Sequence, residues 1–299
     1  MTNEPWPELP LPLWRDTYAT LHMWTQIVGK VCVALTPKVN HFWNIAFQVS
    51  SRGLLTPAMP CGGQRTLNMA FDFVSHELIA KCSDGAVRSI PLAPRTVAVF
   101  YQDTLRMLHE LGVDVKIWTL PVEVPDPIRF ELDNTHASYD PEYAHRFWQI
   151  LVRTAQVMQE FRGEFLGKCS PVHFFWGSFD LAVTRFSGRA APERPNADPI
   201  TREAYSHEVI SHGFWPGGGA VPSAAFYAYA APEPAGFKDA QAAPAEAFYS
   251  RDLSEFILPY EAVRAQPNPA ATLRSFLHST YEAGARLGHW DRASLERSG

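Results

Sequence analysis

Similar segments recur in the same order in the two halves of this 299-residue chain. The matched pairs are HMWTQIV (22–28) with HRFWQILV (145–152), VNHFWNIAFQVSSR (39–52) with VHFFWGSFDLAVTR (172–185), and TLRMLH (104–109) with TLRSFLH (272–278). The second pair places Trp43 and Trp176 in register. This order predicts an internal duplication of an α-β-α unit, with one copy in 1–135 and the other in 136–299. Chance similarity is the alternative, because amphipathic elements resemble one another in composition.

Hydrophobic periodicity predicts an α+β fold with antiparallel sheet and flanking helices. Apolar residues at three-to-four spacing indicate helices at 14–28, 96–112, 141–166 and 269–288. Alternating or apolar runs indicate strands at 39–54, within 67–92, and at 115–124, 171–186, 225–230 and 255–260. Hydrophobic residues make up 46% of the chain, which is enough to build a core for each of these layers.

Charge and cysteine usage narrow the class of protein. A net charge of −5 without a Lys/Arg-rich run disfavours nucleic acid as a partner. No apolar run approaches the roughly 18 residues of a membrane span, and the N-terminus lacks the pattern of a secretory signal. The four cysteines form no CxxC pair, so a zinc site built on that unit is not indicated. Without a secretory signal or a membrane span, we expect a cytoplasmic protein with reduced thiols. The expected partner is a small molecule. The sequence leaves open whether the chain forms a homo-oligomer.

The stretch YSHEVISHGFW (205–215) holds the densest group of chemically active side chains. His207, Glu208 and His212 are residue types that bind zinc or non-haem iron, so a divalent metal held by His207 and His212 is one hypothesis. The five-residue spacing does not suit it, because residues five apart on a strand point to opposite faces. HExxxH also differs from the zinc-binding HExxH motif. The alternatives are a polar pocket lined by one histidine, or two histidines with structural hydrogen bonds.

The strand predicted at 171–186 adds further candidates. His173 lies at its start, and Asp180 interrupts the apolar run FFWGSFDLAV. A buried carboxylate needs a partner, so Asp180 forms either a structural pair with Arg185 or Arg189, or an orienting contact behind a histidine.

A polar stripe on the first predicted helix has two interpretations. His22, Gln26 and Lys30 follow one another at four-residue spacing, which places them on one helix face. Such a stripe is more often solvated, and the alternative is a face that lines a pocket and binds an anionic or carbonyl group.

Long stretches of the chain resemble a known family. GKCSPVHFFWGSFDLAVTRFSGR (167–189), YSHEVISHGFWPGGG (205–219) and LHMWTQIVGKV (21–31) are similar to an uncharacterised bacterial family catalogued only as a domain of unknown function. The resemblance implies soluble bacterial proteins of about this length. The resemblance implies no particular activity and no catalytic residue for this chain.

The residues together favour an enzyme that acts on a small molecule in an aromatic, histidine-containing pocket between the two halves, with or without a metal. The alternatives are a binding protein without chemistry and an interaction scaffold. The candidate catalytic residues are His173, Asp180, His207, Glu208 and His212, and the candidate ligand-binding residues are Trp176, Arg185 and Trp215. The chain has no GxSxG elbow, P-loop or GxGxxG, so the sequence indicates no particular reaction.

Overall fold

The computed structural model describes residues 6–219 and 221–297, which form two compact units. Unit 1 contains Pro12–Val152 and Phe174–Phe179. Unit 2 contains the described residues up to Leu11, the segment Arg153–His173, and the described residues from Asp180 onward. The boundary expected between residues 135 and 136 lies inside unit 1.

Helices and strands follow the chain in an α+β order. The α-helices are α1 (Leu11–Leu35), α2 (Val97–Glu110), α3 (Pro141–Gly163), α4 (Pro199–Ala204), α5 (Tyr260–Arg264), α6 (Pro269–Leu287) and α7 (Arg292–Leu295). The strands are β1 (Gln48–Val49), β2 (Gly53–Leu55), β3 (Met59–Pro60), β4 (Thr66–Asp72), β5 (Glu77–Cys82), β6 (Val87–Pro91), β7 (His173–Phe175), β8 (Asp180–Ala190), β9 (His207–Trp215), β10 (Ala225–Ala231), β11 (Phe248–Ser250) and β12 (Glu255–Pro259).

The sheet of unit 1 is antiparallel and has the order β1-β2-β4-β5-β6, with β3 paired to β4. Trp24 of α1 stacks on Phe100 of α2 at 4.4 Å between ring centroids, and Phe71 of β4 lies 6.5 Å from the same ring. Helix α2 begins where the side chain of Thr96 accepts a hydrogen bond from the backbone N–H of Val99. The helices and the sheet therefore share one aromatic core within this unit.

The second sheet has the antiparallel order β11-β12-β10-β9-β8-β7. At its centre, His212 of β9 pairs with Val183 of β8 and with Ala228 of β10. Helix α6 packs on one face, where a side-chain carbon placed on Gly284 would lie 2.8 Å from Ile210 of β9. The opposite face of β9 is consequently turned away from α6, because side chains alternate along a strand.

The predicted α+β class with antiparallel sheets is confirmed by these two sheets and their helices. The internal duplication stays a prediction. A long helix, a six-stranded sheet and another helix recur in that order along the chain, but the strand orders of the two sheets differ.

The strand predicted over 39–54 is wrong. A 3-10 helix occupies Asn40–Phe42, His41 and Phe42 have φ angles of 58° and 57°, and regular pairing begins only at Gln48. The side chain of Asn44 accepts a hydrogen bond from the backbone N–H of Val39 and donates one to Thr36 Oγ1. A polar side chain that bonds to the local chain competes with a strand ladder, and the alternating pattern does not record this.

No helix within residues 6–219 and 221–297 is both long enough and apolar enough to cross a membrane.

Gly29 of α1 provides a test of the core of unit 1. The indole of Trp176 lies so close that an added side-chain carbon at Gly29 would be 2.2 Å from the ring. We expect Gly29→Ala to lower Tm, because overpacking costs about 1–3 kcal/mol and exceeds the gain in helix propensity of at most about 1 kcal/mol.

The matched control is Gly163→Ala in α3, where no atom lies within 4 Å of the added carbon. Thermal unfolding of both variants gives the comparison. Equal Tm values for the two variants would contradict the packing of Trp176 on α1.

Candidate active site

The structure distributes the predicted site residues over several environments. Trp176 belongs to unit 1, where its Nε1 donates a hydrogen bond to the carbonyl of Ile45 at 2.9 Å. The remaining predicted residues belong to unit 2 and lie on strands β7, β8 and β9.

His207 and His212 lie on opposite faces of β9, five residues apart. His212 contacts α6 through Thr280, whereas Nδ1 of His207 contacts Ser206 Oγ at 3.0 Å before the strand begins. Among the residues that the structure describes, no group of three His, Cys, Asp or Glu side chains is placed to hold a metal ion. The hypothesis of a metal between these two histidines therefore has no supporting geometry in the described part of the chain.

His212 is a fully buried imidazole that packs within the core of unit 2. Its Nε2 is 3.0 Å from Thr280 Oγ1, and its ring meets Phe161 edge-on at 5.0 Å between centroids. Burial, together with the positive charge of Arg185, lowers the pKa of His212 to about 3. The ring is therefore neutral at physiological pH and fixes α6 against β9.

Arg185 is enclosed by aromatic rings rather than presented to a ligand. Its guanidinium carbon lies 3.4 Å from the ring centroid of Phe161, 4.3 Å from that of Tyr281 and 5.0 Å from that of Phe165. It also donates a hydrogen bond to the carbonyl of Phe161, and only 2% of the residue is exposed. These cation–π contacts connect β8 to α3 and α6, so Arg185 has a structural environment.

Glu208 and His173 are likewise held by the fold. Glu208 Oε2 accepts hydrogen bonds from Ser187 Oγ at 2.8 Å and from Arg189 Nη2 at 2.7 Å. His173 is 3% exposed, and burial lowers its pKa to about 4. The His173 imidazole is therefore neutral at pH 7.

The polar stripe on α1 is buried, so its interpretation as a solvated face is wrong. Gln26 is completely buried; its Nε2 donates to the carbonyl of Val122 and its Oε1 accepts from the N–H of Val122, both at 2.8 Å. His22 Nε2 lies 2.8 Å from the carbonyl of Gly177, and burial lowers the pKa of Lys30 to about 8. Val122 lies in the strand predicted at 115–124, where no strand forms.

Asp180 and Trp215 belong to a second group of side chains. This group lies on the face of the sheet opposite to that of His212. We call it the tyrosine–carboxylate face, and its members are Asp180, Tyr205, Ser211, Trp215, Tyr227, Tyr229 and Glu255. The strand register brings them together, because Tyr227 pairs with Gly213, Tyr229 pairs with Ser211, and Ile257 pairs with Tyr227. Trp215 borders this face, packed against Val221, Ala225 and Ile257.

Asp180 accepts a hydrogen bond from the Tyr227 hydroxyl. This pairing differs from the predicted pairing with Arg185 or Arg189, whose guanidinium groups bind Phe161 and Glu208 respectively. Burial and the negative charge of Asp180 raise the pKa of Tyr227 well above its usual value, so the phenol keeps its proton. The Tyr227 ring stacks on Tyr229 at 6.1 Å between centroids.

Tyr229 joins a short network of hydroxyl groups. Its hydroxyl is hydrogen bonded to that of Tyr205 at 3.2 Å and also bonds to Ser211. Ser211 Oγ is in turn 2.9 Å from Thr184 Oγ1. Burial raises the pKa of Tyr229 well above its usual value, and this keeps a neutral hydrogen-bonding group at the centre of the face.

Glu255 is the carboxyl group of this face that lacks a partner. Glu255 begins β12 and is half-buried, and its side chain forms no hydrogen bond or ion pair with the described residues. Burial, with the negative charge of Asp180 as the second cause, raises the pKa of Glu255 from 4.5 to about 7. A carboxyl group with a pKa near neutrality can both take and give a proton under physiological conditions.

The sequence pattern indicated Asp180 and Trp215 as site residues but not Glu255, Tyr227, Tyr229 and Tyr205. The alternation in AFYAYA (225–230) does place Tyr227 and Tyr229 on one face, and this was the available signal. Glu255 gave none, because a glutamate before an apolar strand is also the ordinary pattern of a solvated strand end.

Replacing Glu255 by glutamine tests the environment of this carboxyl through stability. A carboxyl whose folded pKa is raised lowers the stability of the fold as pH rises from its unfolded value of 4.5 to about 7. We therefore expect Glu255→Gln to leave Tm nearly unchanged at pH 4 and to raise it at pH 8. The control is Glu261→Gln, since the side chain of Glu261 is 58% exposed. A lower Tm for Glu255→Gln at both pH values would contradict the unpaired, half-buried environment.

Comparisons with known proteins place the chain in a family without a stated activity. No curated protein matches the chain, and no solved structure matches it. A model of a family of unknown function, DUF5996, matches residues 6–297. This match confirms the resemblance to a domain of unknown function, and the chain belongs to the DUF5996 family.

Proposed function

We propose that this protein is an enzyme that transfers a proton to or from a small molecule at the tyrosine–carboxylate face, with Glu255 as general acid and base. The observation that carries the proposal is the unpaired, half-buried carboxyl of Glu255 beside Tyr227, Tyr229 and Asp180. Perturbed titrating groups concentrate at catalytic sites, because catalysis at neutral pH needs an acid or base with a pKa near 7.

The groups of the face have different roles in this proposal. The Glu255 carboxylate accepts a proton from the bound molecule and returns it to the product or to solvent. The Tyr229 hydroxyl, positioned by Tyr205 and Ser211, donates a hydrogen bond to the substrate oxygen on which negative charge develops. Asp180 fixes the ring of Tyr227, which forms one wall of the site.

The charge of the face indicates the class of substrate. Asp180 and Glu255 are acidic, and the other members of the face are aromatic or neutral. An anionic molecule would be repelled, whereas a neutral polar molecule or a cation would find hydroxyl acceptors and aromatic rings. We therefore propose an uncharged or cationic small molecule with a carbonyl or hydroxyl group.

We place this activity in the bacterial cytoplasm as part of the same proposal. The four cysteines are free thiols, which suits a reducing compartment. The net charge of −5 supports a small-molecule substrate rather than a nucleic acid. The mechanism derived from Glu255 uses no metal ligand.

The test is an untargeted search for turnover. Purified protein is incubated with a bacterial metabolite extract and with a panel of neutral and cationic carbonyl compounds in D₂O, and products are followed by mass spectrometry and NMR. We expect the wild type to consume or deuterate at least one compound, with a rate that changes near pH 7. Glu255→Gln should lower this rate by about 10²–10⁴-fold, the usual contribution of general acid–base catalysis.

Glu261→Gln is the matched control, because Glu261 is exposed and ion-paired with Arg264 on α5. Equal turnover by the wild type and Glu255→Gln would refute the role of Glu255. A compound that is bound but never changed would favour the rival interpretation, a binding protein without chemistry.

A further inference from the structure

A separate cavity of about 380 Å³ lies on the sheet of unit 1. It opens on the less buried face of β4 and β5, because Met69, Phe71 and Ala80 point to the core. Ala70 and Ile79 are direct partners in this register and line the floor of the cavity. The residues that line the cavity all fall within 50–81, so it shares no residue with the tyrosine–carboxylate face.

Both carboxylates of the cavity are already engaged. Asp72 Oδ1 accepts hydrogen bonds from the backbone N–H of Val74 at 2.9 Å and of Ser75 at 2.8 Å, and Oδ2 pairs with Arg52 Nε. Burial acts to raise the pKa of Asp72, but the Arg52 and backbone hydrogen bonds outweigh it and the net direction is downward. Glu77 Oε1 accepts a hydrogen bond from Ser89 Oγ at 2.8 Å.

The cations of the cavity are not satisfied to the same degree. Arg52 uses Nε for Asp72, and its two terminal nitrogens form no hydrogen bond or ion pair with a described residue. Lys81 is exposed and has no such partner among the described residues either. Asp72 thus holds the guanidinium in place while leaving its terminal N–H groups available, in the fork geometry that suits an oxyanion.

We propose that this cavity binds a small molecule that carries a carboxylate or phosphate group on an apolar body. The oxyanion binds the terminal N–H groups of Arg52, and the hydroxyls of Ser51 and Ser75 line the same cavity. The apolar body lies over Ala70 and Ile79. Glu77 pairs with Asp72 and so marks the end of the cavity at which Arg52 is held. Lys81 lies four residues further along β5, roughly 13 Å away at the usual strand rise, and marks the other end. This distance sets the length of ligand that the cavity accommodates.

Calorimetric titration with three probes at low salt tests the proposal. The probes are butyrate, hexanoate and inorganic phosphate. We expect hexanoate to bind more tightly than butyrate, by up to roughly fourfold for each added methylene that the floor buries. Hexanoate tighter than phosphate would identify a carboxylic acid as the ligand class, and phosphate tighter than hexanoate would identify a phosphate ester.

The variants are chosen to keep buried charges balanced. Arg52→Gln combined with Asp72→Asn removes the guanidinium without leaving an unpaired buried carboxylate, and should weaken binding at least tenfold. Arg88→Gln on β6 is the control, because Arg88 pairs with Glu110 and does not line the cavity. Glu255→Gln should also bind the probes normally, which separates this site from the proposed activity.

Two results would overturn the inference. One is that none of the three probes binds to the wild type at millimolar concentration. The other is unchanged binding in the folded double variant. Should the double variant fail to fold, Arg52→Lys decides, because it keeps a positive charge beside Asp72 but removes the fork of terminal N–H groups; unchanged affinity for all three probes would then refute the proposal, and a loss of threefold or more would support it.

Discussion

The antiparallel register of β8, β9, β10 and β12 determines which side chains of unit 2 can meet. Residues in register share a face, so His212, Arg185 and Ile210 lie together towards α3 and α6. The same register turns Ser211, Tyr227, Tyr229 and Glu255 to the other side. A slip by one residue would exchange the two sets, placing carboxyl groups against the aromatic core and Arg185 outside it. The packing of α6 on β9 through Gly284 and Thr280 therefore fixes the composition of the proposed site as well as the core.

Buried charge has different surroundings on the two faces of the sheet, the face with Arg185 and the tyrosine–carboxylate face. The guanidinium of Arg185 is compensated by three aromatic rings and by the carbonyl of Phe161, and its removal from water is matched by these contacts. Glu255 has no comparable partner, so the fold penalises its charged form and the proton is held more tightly. A compensated charge holds structure together, whereas an uncompensated carboxyl lowers stability as pH rises from 4.5 to about 7, and the whole loss remains above that range. That loss is a reason to assign Glu255 a function, since an isosteric glutamine would avoid it.

The sequence predicted elements well where local pattern and tertiary packing agree. The strands at 225–230 and 255–260 and the helix at 269–288 appear within a residue of their predicted bounds. Prediction failed at 39–54 and 115–124, where side chains of Asn44 and Gln26 bind backbone groups that a strand would have used. The candidate site could be predicted in part from the sequence for the same reason. Asp180 stands out within an apolar strand. Its charge helps to raise the pKa of Glu255, but the two residues are 75 positions apart in sequence and β9 and β10 lie between their strands in the sheet, which no local pattern contains.

Burial also explains why the proposed function assigns proton transfer to a carboxyl rather than to the histidines predicted from the sequence. Imidazole is the usual candidate for acid–base work because its ordinary pKa of 6.5 lies near neutrality. In this protein burial lowers the pKa of His22 and of His173 to about 4 and that of His212 to about 3, so all three are neutral at pH 7. The same removal from water raises the pKa of a carboxyl and brings Glu255 to about 7. Desolvation disfavours whichever form is charged, so it moves bases out of the neutral range and an acid into it. In a chain with this much buried polar surface, the group that titrates at physiological pH is therefore better sought among carboxyls on a half-buried sheet face than among histidines in the core.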